Sequence, residues 1–212
     1  MKLPSILKIV IVCMAILFTG ICHAQSIFHC GPVIGFGHRT TTGPGTKSPA
    51  LGGFAGLTTD FRLNKYLSFR PSLTYAIKGY YSYEWSLFGE ESEENLRLNY
   101  ITLDIPIKYV APSGWCFHFG PQAGYLIVAN FTDYEGVTNN AALKKKIKSI
   151  DYGLIVGAGY QLKNGLCFNL TADLGLRPIL KPRDDRFYDD SILGGNNMLF
   201  TTGISYLIGY DR

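Results

Sequence analysis

Apolar and polar side chains alternate with a period of two along most of this chain. In the clearest segment, 101–109, the odd positions are apolar, while positions 102, 104 and 108 are polar. This period places the two kinds of side chain on opposite faces of a β-strand. Similar segments lie at 67–83, 115–131, 150–162, 166–177 and 198–210, and two glycine-rich segments with weaker alternation lie near 27–37 and 50–62. The pattern predicts an all-β chain of eight strands.

Short and long connections alternate between the predicted strands. Tight turns, two of them with Pro-x-Gly or Asn-Gly chemistry, follow the second, fourth and sixth strands, at 63–65, 111–114 and 163–165. Long polar connections follow the other strands, roughly over 39–48, 85–97, 132–148 and 181–196. An even strand count with short turns on one rim and long loops on the other predicts an eight-stranded antiparallel up-and-down transmembrane β-barrel.

The polar faces of these strands decide which side of the barrel meets lipid. They carry full charges at mid-strand, at Arg70, Asp104, Lys108 and Asp173, which are costly in hydrocarbon but tolerable in a polar lumen. Aromatic side chains also cluster towards the strand ends, as interfacial girdles require. A soluble lipocalin-like barrel is the alternative, but the chain has no stretch of helical period to pack outside it. We therefore expect the apolar face to meet lipid.

The N-terminus has the pattern of a cleavable signal peptide. Lys2 and Lys8 precede an unbroken apolar run over 9–18, and Cys22-His23-Ala24 forms a small-x-small cleavage site. The predicted division is 1–24 as the signal and 25–212 as the barrel domain. Lipidation at Cys22 is the alternative, which the preceding Ile21 disfavours. Removing the two lysines leaves 18 of the 20 Lys and Arg residues against 16 Asp and Glu, a balance that predicts no nucleic-acid partner.

Cleavage leaves three cysteines, Cys30, Cys116 and Cys167. An odd number means that at least one thiol stays unpaired within the chain. A bridge between Cys116 and Cys167 is possible, but their spacing does not establish it. It is also unlike a metal knuckle, so we predict no metal and no cofactor.

Several short motifs resemble those of a known family: 70–75 with 78–79, 103–106, 120–125, 152–154 with 157–160, and 174–176. These strands are similar to the bacterial outer-membrane β-barrel family of OmpA/OmpX-like architecture, which includes porin-like and PorT-type barrels. The resemblance implies a Gram-negative outer-membrane location. The chain departs from the pattern by ending on Asp211-Arg212 rather than on an aromatic residue. We expect Gly203, Tyr206 and either Ile208 or Tyr210 to serve as the assembly signal instead.

Charged residues on neighbouring predicted strands form the candidate interior site. We expect a structural ion-pair network in the lumen, made of Arg70, Lys78, Asp104, Lys108, Asp173 and Arg177. Eight strands leave an interior just wide enough for side chains, so mutual neutralisation is preferred over an ion-selective path. In this interpretation Asp104 pairs with Lys108 or Arg70, and Asp104→Ala costs about 3–5 kcal/mol.

No catalytic set emerges from the mature chain. His38 lies at the outer rim without an acid placed to orient it, and His29 and His118 fall near the opposite end of their strands. The second outer loop is acidic and the third is basic, which suggests loop–loop attraction or binding of lipopolysaccharide phosphates, although a solvated rim is the simpler interpretation. The residues are Glu90, Glu91, Glu93 and Glu94 in the second loop and Lys144, Lys145, Lys146 and Lys148 in the third.

The expected function is a non-enzymatic, monomeric structural or interaction platform whose outer loops meet the environment or a protein partner. Its other expected partners are outer-membrane lipid, lipopolysaccharide and the outer-membrane assembly machinery. Two alternatives remain open: a narrow porin-like channel, and an accessory barrel in protein secretion or envelope assembly.

Overall fold

The computed structural model of this chain describes residues 28–42, 47–85, 91–133, 136–138, 144–180 and 195–210. The predicted signal peptide lies outside the described residues. The strands, in chain order, are β1 (Phe28–Thr41), β2 (Lys47–Ser48), β3 (Ala50–Arg62), β4 (Leu67–Phe69), β5 (Ser72–Trp85), β6 (Glu91–Asp104), β7 (Ile107–Val110), β8 (Trp115–Asp133), β9 (Gly136–Thr138), β10 (Ile150–Gln161), β11 (Leu166–Pro178) and β12 (Asn196–Tyr206).

These strands close into a ring that is eight antiparallel strands around. The first and last strands meet directly, because β1 pairs with β3 on one edge and with β12 on the other. Apart from the short strands β2 and β9, which pair with β5 and β8 at the long-loop end, two members of the ring are each made of two strands, β4 with β5 and β6 with β7. The closed, all-antiparallel ring confirms the predicted fold class.

Prolines cause the two internal breaks. Pro71 separates β4 from β5, and Pro106 separates β6 from β7; neither can donate a backbone hydrogen bond to the ladder. The breaks lie side by side, and the Arg70 amide donates to the Pro106 carbonyl at 2.9 Å. The wall of the barrel therefore stays hydrogen-bonded across both interruptions.

One rim of the barrel, here called the short-turn rim, carries the turns 63–66, 111–114 and 162–165 together with both ends of the described chain. Gly114 and Gly165 adopt φ of +105° and +91°, a conformation that L side chains rarely take. The sequence placed these turns correctly because Pro-x-Gly and Asn-Gly favour this backbone.

The opposite rim, the long-loop rim, differs from the prediction. The connection predicted over 85–97 is mostly strand: β5 and β6 stay paired out to Trp85 and Glu91. Glu91, Glu93 and Glu94 are thus ladder positions rather than loop residues, and Glu90 lies outside the described residues. The first strand also runs on to Thr41, beyond its predicted end.

Many large apolar side chains point outward, and the charged side chains in the middle of the barrel point inward. Leu51, Phe36 and Leu57 expose 77%, 68% and 64% of their surface, whereas Lys78 and Lys108 expose none. This inside-out distribution is the reverse of a soluble barrel, in which the apolar side chains fill the core. The predicted orientation of the two faces is therefore correct.

Candidate functional site in the barrel interior

Lys78 is the centre of the main polar cluster inside the barrel. Its Nζ lies 2.9 Å from Asp173 Oδ2 and 3.3 Å from Asp151 Oδ2, and it donates to Gln122 Oε1 at 3.1 Å. Asn197 Nδ2 in turn donates to Asp151 Oδ2 at 3.1 Å. The strands that supply these side chains surround the lumen, so the cluster ties distant parts of the wall together.

The Lys78–Asp173 pair joins two residues of the predicted network, while Asp151 and Gln122 were not assigned to it. Asp151 lies on the polar face of β10, so its parity was a usable signal. Gln122 carries no charge, so the search for inward charged residues could not find it. Its Nε2 donates to Asp173 Oδ2 at 2.5 Å and extends the cluster.

Asp104 occupies a different position from the one expected. Among the described residues it forms no ion pair with Lys108 or Arg70. It is buried near Asp173 and Lys78 and hydrogen-bonds Gln122. Together with Asp151, three carboxylates therefore face one ammonium group, and Asp104 adds repulsion to Asp173.

This arrangement reverses the expected effect of neutralising Asp104. We expect Asp104→Asn to leave the free energy of unfolding unchanged or to raise it, because the amide keeps the shape and removes one negative charge. The measurement is urea unfolding of the refolded barrel in detergent, with Asp173→Asn as the matched control, which removes a direct partner of Lys78. A loss of about 3–5 kcal/mol for Asp104→Asn would instead support the pairing inferred from sequence.

Arg70 and Lys108 form a second polar layer, nearer the short-turn rim. Lys108 Nζ donates to Gln161 Oε1 at 2.6 Å and lies 3.5 Å from Cys167 Sγ, and Arg70 Nη2 donates to Ser205 Oγ at 2.6 Å. Within the described residues, no carboxylate lies within 4.0 Å of either cation. The two cations are therefore bound mainly by neutral groups, while the buried Asp60 nearby accepts a hydrogen bond from Ser68.

Arg177 does not join the lumen charges. Its Nη1 donates to the Ile150 carbonyl at 3.1 Å, and its guanidinium lies 5.7 Å from the Tyr152 ring, which faces outward. The alternation of β11 continues here, because Gly175 is buried while Leu176 and Pro178 are exposed, but the half-buried Arg177 directs its guanidinium to the start of β10. The prediction was therefore wrong in assigning this side chain to the lumen network.

An apolar cluster closes the lumen at the long-loop rim. We call it the apolar plug; its buried members are Tyr80, Leu96, Leu98, Tyr100, Leu126, Ala129, Ile147 and Ile179. A β-bulge at Ile127 shifts the register of β8 and lets both Leu126 and Ala129 face inward. Ile147 reaches the plug from beyond β8, so a loop segment completes it. No pattern in the sequence predicted the plug.

Between the two polar layers lies a cavity of about 60 Å³, lined by Asp104, Asp173, Arg70 and His118 among others. A cavity of this size holds a few water molecules and no larger solute. Its small size and the buried side chains around it indicate a filled interior rather than an open path.

The remaining predicted positions are dispersed. His29 and His118 face the lumen, whereas His38 lies on the exposed face of β1. Gly203 and Tyr206 belong to β12, but Tyr210 turns away after Gly209, and Arg62 stacks over its ring at 4.4 Å. The aspartates of the last outer loop lie outside the described residues. Among those described, no three His, Cys, Asp or Glu side chains are grouped to hold a metal ion.

A closed antiparallel ring with an apolar exterior and buried interior charges defines a transmembrane β-barrel. In the described part of the chain, no helix is long and apolar enough to cross a membrane. Residues 24–181 match the family model for the outer membrane protein beta-barrel domain. The chain belongs to this family and is a Gram-negative outer-membrane protein, as the resemblance implied.

Solved structures of other barrels are similar to the chain. Neisserial surface protein A (NspA) has 13% identity and a TM-score of 0.49, over 84% of this chain and 96% of that one. The attachment invasion locus protein Ail of Yersinia pestis has 12% identity and a TM-score of 0.45, over 85% and 98%. Ail in complex with the heparin analogue sucrose octasulfate has 12% identity and a TM-score of 0.46, over 86% and 99%. No curated protein matches the chain.

Proposed function

We propose that this chain is a non-enzymatic, non-conducting platform that is anchored in the outer membrane and presents its long-loop rim to the cell exterior. The observation that carries the proposal is the apolar plug, which is packed across the lumen above the Lys78 cluster. A channel needs a continuous polar path, whereas a platform needs only a rigid wall. Because the plug and the Lys78 cluster interrupt any polar path, both favour the platform over the channel.

The outward direction of the long-loop rim rests on the usual layout of such barrels, which have short periplasmic turns and longer extracellular loops. This orientation agrees with export by the predicted signal peptide at 1–24, after which the mature chain, 25–212, is inserted as a monomer by the assembly machinery. Gly203, Tyr206 and Tyr210 remain the proposed assembly signal.

The loop segment that follows β9 supports a role for the long-loop rim in binding. Lys144 Nζ donates to the carbonyl of Ile127 at 2.8 Å, the Lys148 amide donates to the Ile179 carbonyl at 2.9 Å, and Ile147 is buried in the plug. Lys145 and Lys146 are exposed on this anchored segment. A fixed pair of cations suits an anionic partner such as lipopolysaccharide phosphate.

We expect the refolded barrel to produce no single-channel steps in a planar lipid bilayer, because the plug and the Lys78 cluster obstruct the lumen. A general porin in the same bilayer is the positive control, and a mobility shift between boiled and unboiled samples verifies that the chain is folded. Stable, voltage-proportional steps from the folded chain would contradict the platform and favour the narrow channel.

A further inference from the structure

Cys116 and Cys167 meet inside the barrel, 51 residues apart in sequence, with their Sγ atoms 3.8 Å apart. Both side chains are fully buried. Cys116 lies on β8 and Cys167 on β11, on opposite sides of β10. On β10, Gly159 pairs with Cys116 and Gln161 pairs with Cys167, so the two cysteines lie on a diagonal across this strand.

The register argues against a disulfide between these cysteines. Neighbouring strands lie about 4.8 Å apart, so two steps across the wall separate the Cα atoms by roughly 9 Å after allowance for curvature. A disulfide needs Cα atoms no more than about 7 Å apart. The closed barrel therefore holds two adjacent thiols, and a bridge between them requires the wall to move.

Two cations surround this thiol pair. Lys108 Nζ lies 3.5 Å from Cys167 Sγ, and Arg70 Nη1 lies 4.0 Å from the same atom. Neither cation has a carboxylate within 4.0 Å among the described residues. A buried cation is stable only when a negative or strongly polar group compensates it. The position between the sulfurs thus favours a group of net negative charge.

We propose that Cys116 and Cys167 form a two-thiolate binding site for a soft monovalent metal ion of the copper(I) class. One such ion with two thiolates carries a net charge of −1, which complements Lys108 and Arg70. Metal–sulfur bonds of about 2.3 Å place two sulfurs between about 3.8 and 4.6 Å apart, from a tetrahedral to a linear angle at the metal. With only two ligands the ion takes the near-linear end of this range, so binding requires the sulfurs to move roughly 0.8 Å apart from the observed 3.8 Å.

The donor set excludes the commoner ions. Zinc in a structural site takes four ligands, and calcium and magnesium take oxygen ligands. The described residues offer no third His, Cys, Asp or Glu to complete such a set here. Thiolates alone, at low coordination number, select copper(I). Binding breaks two S–H bonds and forms two metal–sulfur bonds; two protons leave, and the ion keeps its oxidation state.

A route to the site starts at the short-turn rim. A cavity of about 470 Å³ opens there and reaches inward as far as Ser68. Ser68 is the cross-strand partner of Lys108, whose Nζ contacts Cys167. The inner wall of this cavity, formed by Ser68 and the buried Asp60, therefore adjoins the Lys108 layer that contacts the thiols.

The test measures copper(I) binding to the folded barrel in detergent, without oxygen, against a copper(I) chelator of known affinity. All proteins carry Cys30→Ser, because Cys30 is exposed on the outer face. We expect one copper(I) per barrel. Cys116→Ser or Cys167→Ser removes a ligand and should raise the Kd by more than about 100-fold. Residues that contact a metal ligand typically change affinity by about 10–100-fold, so Lys108→Met should raise the Kd by about that factor. Lys163→Met, which removes a lysine of the rim cavity, should leave the Kd unchanged.

If the barrel retains no more copper(I) than a Cys116→Ser/Cys167→Ser barrel, the proposal is overturned. It is also overturned if the purified barrel contains a Cys116–Cys167 disulfide, seen as a mass 2 Da below that of the dithiol with no reactive thiol after denaturation. If the serine variants fail to fold, X-ray absorption at the copper edge of the Cys30→Ser barrel decides. Two sulfur neighbours support the site, and nitrogen or oxygen neighbours overturn it.

Discussion

Replacing Lys78 by Met is expected to lower the free energy of unfolding of the barrel by about 3–5 kcal/mol, because it leaves buried carboxylates without their cation. Asp173 and Asp151 each lie within 3.3 Å of Nζ, and Asp104 faces the same group. The side chain it removes is completely buried, so water cannot replace the lost interactions without entering the lumen. The measurement is urea unfolding of the refolded barrel in detergent.

Lys108 provides the matched control, since it is the other fully buried lysine among the described residues. Its contacts are Gln161 Oε1 and Cys167 Sγ, and Lys108→Met strands no carboxylate at ion-pair distance among these residues. Replacing a buried charge whose partners are neutral is often tolerated, so we expect a loss well below that of Lys78→Met. Equal losses for the two variants would show that burial alone, rather than the three carboxylates, sets the cost.

Leu57→Arg is expected to destabilise the barrel by about 2–4 kcal/mol, the usual cost of an arginine on the lipid face near the bilayer midplane. Leu57 lies mid-strand on β3, points outward and exposes 64% of its surface. Leu63 is the matched control: it exposes a similar 63% but lies in a turn of the short-turn rim. Arginine at an interface costs only about 0–1 kcal/mol.

The readout for this pair is folding into phospholipid vesicles, followed by urea titration. Because the two leucines are equally exposed, only their depth in the bilayer distinguishes them. If Leu63→Arg costs as much as Leu57→Arg, the short-turn rim lies deeper than the fold implies. If Leu57→Arg costs nothing, this face of β3 does not meet hydrocarbon.

The strands, the tight turns and the lipid-facing side of the barrel were predictable, because period-two alternation and turn chemistry are local signals. Asp173 and Lys78 were recognised as inward charges for the same reason, but their ion pair depends on which strands face each other across the lumen. Alternation along one strand carries no such information. Asp104 was therefore assigned to the wrong partners.

The outer third of the barrel was missed for a different reason. On β6 the apolar side chains Leu96 and Leu98 point inward, while Arg97 is exposed on the outer face. The apolar residues thus change face relative to Ile101 and Leu103 on the same strand. A search for apolar-out alternation ends at this change, and the segment was interpreted as a polar loop. The bulge at Ile127 hides the same change on β8.

That change of face also measures how far the protein projects from the membrane. On β6 and β7 the outward apolar residues run from Ile101 to Tyr109, about 27 Å along the strand. At a strand tilt of about 40° this is roughly 21 Å along the membrane normal, close to the usual height of about 25 Å for the apolar band of such barrels. From Arg97 the paired wall continues to Glu91, roughly another 15 Å beyond the hydrocarbon. The paired strands thus extend beyond the bilayer, and a partner meets a surface at the height of the lipopolysaccharide sugars rather than at the bilayer surface.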